Sequence, residues 1–191
     1  MRLGKILRWI GIGLIVCCVL LIGIYHVRSG IAQKQMNLAL THIQSVLPER
    51  ITGIMDTYSS MNMPALQVNG LDYVALLEVP RLGIALPIRS GWSVWQSIAY
   101  PSRFSGSVYD GTLVIGGTDG KGQLDFFEKL ENGDTIYVTD MSGICFHYII
   151  TKITRSEKAD VSTLQDENCQ LTLFTWDQFS LDYIILRCNG S

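Results

Sequence analysis

The chain has 191 residues, 48% hydrophobic and 17% charged, with a formal net charge of −2 and a mean hydropathy of +0.24. Such values exclude collagen-like, disordered and disulfide-scaffold classes, and they fit one membrane anchor plus one domain, because about 160 residues beyond an anchor suffice for a single core. The five cysteines are an odd number, so at least one thiol is unpaired or bonded to another molecule.

Residues 9–27 carry no full charge. As a helix this run spans roughly 28 Å, close to the hydrocarbon thickness of a bilayer. Arg2, Lys5 and Arg8 precede it, and Arg28 and Lys34 follow. The positive-inside rule therefore predicts a cytoplasmic N-terminus at 1–8, a transmembrane anchor at 9–27 and an extracytoplasmic remainder. A cleaved signal peptide is the alternative, but residues 25–30 offer no Ala-x-Ala cut site. Cys17 and Cys18 sit within the apolar run as small hydrophobes, and Val16 is too large for a lipidation signal at Cys17. All seventeen acids lie beyond residue 28 with only eleven of the fifteen Lys and Arg residues, so the outer part carries −6. That balance argues against a nucleic-acid partner.

Residues 28–71 read as a juxtamembrane helix and linker. Met36, Leu40, Ile43 and Leu47 form one stripe of an amphipathic helix ended by Pro48, and residues 49–70 show no sustained period. From residue 72 onward short apolar runs alternate with turn residues. Strands are predicted at 73–79, 84–88, 112–115, 135–138, 144–154, 171–175 and 183–188, punctuated by turns at 80–83, 109–111, 132–134 and 142–143. Many strands with few helices indicate a β-barrel or sandwich.

Four motifs in this region, in order, carry a family resemblance. Glu78-Val79-Pro80-Arg81-Leu82-Gly83-Ile84-Ala85-Leu86-Pro87-Ile88 resembles the opening strand pair of the sortases, membrane-anchored cysteine transpeptidases of Gram-positive bacteria. Residues 111–119, with Gly116-Gly117-Thr118-Asp119, resemble the strand that ends in Ala-Gly-His-Arg-Asp in that family. Residues 127–138 resemble its Phe, Lys-Leu and Gly-Asp segment, and Leu171-Thr172-Leu173-Phe174-Thr175-Trp176 resembles the Thr-Leu-x-Thr-Cys strand of the nucleophile. The resemblance implies an all-β fold, an eight-stranded barrel with short helices, over residues 72–191.

The family's chemistry needs a cysteine nucleophile, a histidine for proton transfer and an arginine for the developing oxyanion. On these motifs the histidine position is Gly117 and the cysteine position is Trp176. Alignment on the apolar run Ile184-Ile185-Leu186 places Tyr183 at the arginine position, while Arg187 lies four residues on, about 13 Å along a strand. None of the three supplies the family's chemistry, since glycine has no side chain and indole offers one N–H donor. Pairing Thr175 with Asp182 and Phe174 with Tyr183 puts Thr172, Phe174, Trp176, Tyr183 and Arg187 on one face and the aliphatic residues on the other. The first set is the candidate groove.

Other residues carry weaker readings. Cys145 and His147 share a strand face, but i and i+2 are about 6.6 Å apart, long for a catalytic pair. Cys169 opposes Cys188 in the expected register, so they form either an extracytoplasmic disulfide or two reduced small hydrophobes. Asp119, Asp125 and Glu128 make a loose acidic cluster that matches no calcium loop and reads as solvated charge. Trp92, Trp95 and Tyr100 either rim a groove or pack over the barrel end. No metal or cofactor is expected. The sequence thus predicts an anchored, sortase-like, non-catalytic binder or accessory factor, with a peptide sorting signal, a pilin or another sortase as partner by analogy. An active transpeptidase or peptide hydrolase with a non-standard nucleophile is the alternative.

Overall fold

A computed structural model describes residues 2–53, 62–93, 97, 99–120, 122–157, 164, 168–177 and 180–191. Its first element is one helix, α1 (Arg2–Val46), where the sequence predicts two. No proline interrupts residues 2–47, and Gly30 alone costs only about 1 kcal/mol relative to alanine, which does not break a helix. Pro48 follows the last turn. Ala32, Met36, Ala39 and Ile43 form the buried stripe, with Leu40 and Leu47 at its flank.

The N-terminal part of α1 exposes its apolar side chains. Among the described residues no helix is long and apolar enough to cross a membrane.

Among the described residues ten strands follow: β1 (Ile51–Thr52), β2 (Leu66–Val68), β3 (Leu71–Val79), β4 (Ile84–Arg89), β5 (Ser102–Ser105), β6 (Leu113–Thr118), β7 (Thr135–Asp140), β8 (Ile144–Ser156), β9 (Leu171–Trp176) and β10 (Tyr183–Gly190). Seven of them lie where alternation and turn residues place strands. Pairing runs β8-β10-β9-β6-β5-β4-β3, and β7 joins β3 to β8. Those eight strands therefore close into a barrel, with β1 added beside β8 and β2 beside β3. Closure leaves no free edge within the ring. Short 3₁₀ turns at Pro80–Leu82 and Phe127–Lys129 complete it.

The three short strands were not predicted. Asn69 (φ 53°) and Gly70 (φ 77°) make the two-residue left-handed turn that joins β2 to β3. β5 is polar and meets β4 at one residue pair only. β1 is two residues long and exposed.

Inward-facing residues of the barrel strands other than β5 form one core. Leu77, Val79, Ile88, Leu113, Ile115, Val138, Phe146, Leu173 and Leu186 are among its members, and Met36 of α1 joins it. A second cluster of Ala39, Ile43, Val68 and Tyr73 fixes the C-terminal half of α1 to the β2–β3 hairpin.

Burial pushes the Cys188 thiol and the Tyr148 hydroxyl well above their ordinary values of 9.0 and 10.0. The unfolded chain loses these protons from about pH 9, whereas the folded chain keeps them, so stability holds below that pH and declines as pH rises. Thermal unfolding followed by circular dichroism should show a midpoint that falls between about pH 8.5 and 11, with a shallower fall in Cys188→Ala. Equal slopes in the two proteins would remove Cys188 from the account.

Candidate functional site

The site is built by three adjacent strands. β9 pairs parallel with β6 and antiparallel with β10. Along β9 the side chains alternate, Leu171 and Leu173 toward the core and Thr172, Phe174 and Trp176 outward. At the end of β9, Trp176 pairs with Thr118 on one side and with Tyr183 on the other. Thr118, Trp176 and Tyr183 thus form one row across three strands. The parallel ladder continues one step further, where the Asp119 N–H donates to the Trp176 carbonyl at 3.3 Å.

Gly117 lies outside that row. It pairs with Thr175, and a side chain there would point toward Leu124 (3.2 Å) and Pro101 (3.5 Å). The side chain beside Trp176 belongs to Thr118, whose hydroxyl is 3.4 Å from Gln123 Oε1.

The β9–β10 register differs from the expected one by two residues. Trp176 and Tyr183 are the last pair, closed by a loop in which the Asp177 N–H donates to Asp182 O (2.9 Å) and the Leu181 N–H to Asp177 O (3.0 Å). A shift of two keeps parity, so the faces are as predicted while the partners change. Cys188 consequently pairs with Leu171, not Cys169. Both thiols are free and buried, and Cys169 Sγ lies 3.2 Å from the Thr172 hydroxyl.

The outer face is filled. Phe174 is 4% exposed and packs with Val114, Leu164 and Ile185. Its ring centroid lies 5.4 Å from that of Trp92 and 5.6 Å from that of Phe104, with Tyr183 at 6.4 Å. Thr172 is buried as well, so of the predicted groove residues Trp176, at 36%, is the most open, with Tyr183 half-buried beside it. Arg187 shares this face but pairs with Thr172, far along β10 from the row. Phe104, Leu164 and Gly116 were missed, and Trp92 serves packing. Gly116 carries the one legible signal: a glycine inside a strand marks a close approach, here by the Phe174 ring. Trp95 lies outside the described residues.

His147 packs against Tyr137, 4.5 Å between centroids with the rings tilted by 41°, and Cys145 is buried. Tyr100 donates to Gln35 of α1 and receives the Arg89 guanidinium over its ring at 5.4 Å. The acidic residues, by contrast, do converge. Asp119, Asp125 and Glu128 meet Asp177, which follows Trp176, around a hollow of about 320 Å³. Arg155 bridges Glu128 (2.8 Å) and Asp177 (3.5 Å). Among the described residues no group of three ligating side chains is placed to hold a metal ion.

The family model described as the sortase domain matches residues 77–185. No curated protein matches. Among solved structures, the chain is similar to sortase A from Corynebacterium diphtheriae, with 18% identity, a TM-score of 0.55, and 85% of each chain covered. It is also similar to a Clostridium perfringens sortase D5 transpeptidase, with 22% identity, a TM-score of 0.53, and 63% of this chain and 79% of that one covered. Listeria monocytogenes sortase A gives 18% identity and a TM-score of 0.53 over 62% of this chain and 87% of that one.

A Cβ built on Gly116 would fall 2.2 Å from Phe174 Cζ. Trp92 and Phe104 hold that ring in place, so Gly116→Ala should destabilise the fold by about 1–3 kcal/mol. Urea unfolding checks this, and an unchanged midpoint would mean that the aromatic cluster is loosely packed.

Proposed function

Because the chain belongs to the sortase family, we propose that it is a membrane-anchored member that has kept the barrel and given up the transfer chemistry, and that it holds a peptide or protein partner near the membrane. The observation that carries this reading is the row Thr118–Trp176–Tyr183. It holds two of the three positions where the sequence resemblance locates the family's reacting groups, Trp176 and Tyr183, with Thr118 next to the third, Gly117, and it contains no thiol, imidazole or guanidinium. Thr118 offers a hydroxyl, Trp176 one N–H and a broad apolar surface, and Tyr183 a phenol. Such a set binds; an indole in the nucleophile's place forms no thioacyl bond.

The alternative of a substitute nucleophile is weaker. Cys145, Cys169 and Cys188 are all buried, and Cys188 is pushed away from the thiolate form that nucleophilic attack needs. Partners follow the family by analogy: sorting-signal segments of surface proteins, pilins, or an active sortase.

Anchoring is supported by the uncharged run 9–27 and by the exposure of its apolar side chains in α1, from 44% at Ile12 to 73% at Trp9. The three preceding bases favour an N-terminus in the cytoplasm. Recovery of the full chain in the membrane fraction, lost on deletion of residues 2–27, checks the anchor.

Binding is tested by fluorescence anisotropy with labelled sorting-signal peptides. Trp176→Ala should weaken capture at least ten-fold, the range expected for truncating a central aromatic anchor. Equal affinity for both proteins would move the binding surface away from this row.

A further inference from the structure

Gln33 and Ile43 of α1 touch opposite ends of the barrel. At one end the Gln33 amide lies against Gly122, where a Cβ would fall 2.9 Å from its Nε2. The next residue, Gln123, has its Oε1 3.4 Å from the Thr118 hydroxyl of the row. Two residues along α1, Gln35 accepts a hydrogen bond from the Tyr100 hydroxyl, and Ser102 just beyond Tyr100 pairs with Gly116 of β6. Residues 33–35 therefore lie beside the row end.

At the other end Ile43 packs with Val68 and Tyr73 of the β2–β3 hairpin. Further on, the carbonyls of Pro48 and Glu49 stand 3.2 Å from where a Cβ of Gly143 would be. Gly143 closes the turn from β7 into β8, its N–H donating to Asp140 O at 3.2 Å. β8 then runs its 13 residues from Ile144, beside that turn, to Ser156, which pairs with Tyr183 of the row. That strand separates the two ends by about 40 Å.

α1 thus crosses the barrel from the row end to the far end as residue number rises. Residues 9–27 precede Gln33 in the same helix (Arg2–Val46), so they leave the barrel past the row. Gln33 stands ~9 Å along the axis beyond Val27, and Ile43 ~24 Å beyond it. Met36 in the barrel core, with Ala39 and Ile43 in the second cluster, fixes the rotation of α1 against the sheet. No proline interrupts residues 2–47 to act as a hinge. We propose that α1 mounts the barrel on the membrane with the Thr118–Trp176–Tyr183 row turned toward the bilayer, so that the row opens onto the gap between the barrel end and the lipid headgroups. The orientation rests on the anchoring of residues 9–27, and not on peptide capture. A partner then reaches the row along the membrane surface, and the end at Gly143 points away from it.

The test is energy transfer from a donor dye on one introduced cysteine to acceptor dyes on lipid headgroups, with the full chain in phospholipid nanodiscs. Cys17→Ser and Cys18→Ser remove the exposed thiols, and the other three cysteines are buried. The donor sits at Leu181→Cys, exposed beside the row, or at Ser142→Cys, exposed in the β7–β8 turn. Transfer from Leu181→Cys should exceed that from Ser142→Cys by about two-fold or more, and a flexible Gly-Ser insert after Ser29 should bring the two toward equality. Equal transfer without the insert, or stronger transfer from Ser142→Cys, overturns the orientation while leaving the anchor in place. A difference that survives the insert overturns the role of α1 as the mount. Failure of the chain to enter nanodiscs overturns the anchoring, and the orientation with it.

Discussion

The parallel pairing of β6 with β9 is the constraint on which the rest depends. It brings together strands separated by more than fifty residues of chain, and it fixes which side chains share a row. With β10 added antiparallel on the far side, the barrel end presents Thr118, Trp176 and Tyr183 side by side. One residue further in, Gly117, Thr175 and Ile184 face the interior instead. A single alternation along the strands thus separates two environments: an outer edge with an open indole and an inner hollow walled by carboxylates.

The same alternation separates the residues that hold the barrel together from those of the row. Barrel stability rests on Leu113, Ile115, Leu171, Leu173, Ile184 and Leu186, all inward, and none of these contributes to chemistry at the row. Outside, Phe174 is sealed by Trp92, Phe104 and Leu164, and Gly116 gives its ring the space it occupies. Aromatic packing fills much of the face where an extended peptide would lie and leaves the strand end as the accessible part. The accessible surface there is therefore a short aromatic edge, not a long channel.

Much of this was legible from sequence because alternation is a strong signal on strands with one buried face. It located seven strands and divided β9 and β10 correctly into core and outer faces. Register was less legible: the 177–182 loop admits pairings two residues apart, and parity cannot distinguish them. The Gly116-Gly117 pair raised a similar ambiguity, since sliding a motif by one residue changes the residue beside Trp176, and only lateral pairing with β9 selects Thr118. β2 was missed although Asn69-Gly70 announces a hairpin, because three residues are too few to show a period. The continuity of α1 was missed because a change from uncharged to amphipathic composition looks like a boundary while nothing in the backbone chemistry stops the helix. The acidic residues read as solvated charge because their convergence with Asp177 and Thr175 is a property of the barrel end alone.

The central claim is that the row lacks a nucleophile. Intact-mass analysis of the full chain after incubation with sorting-signal peptides tests it most directly, because a thioacyl intermediate adds the mass of the acyl fragment and maps to one cysteine. The account predicts an unmodified mass under conditions in which the same peptides bind saturably. A covalent acyl adduct on Cys145, Cys169 or Cys188 would contradict it and restore transfer chemistry to this barrel.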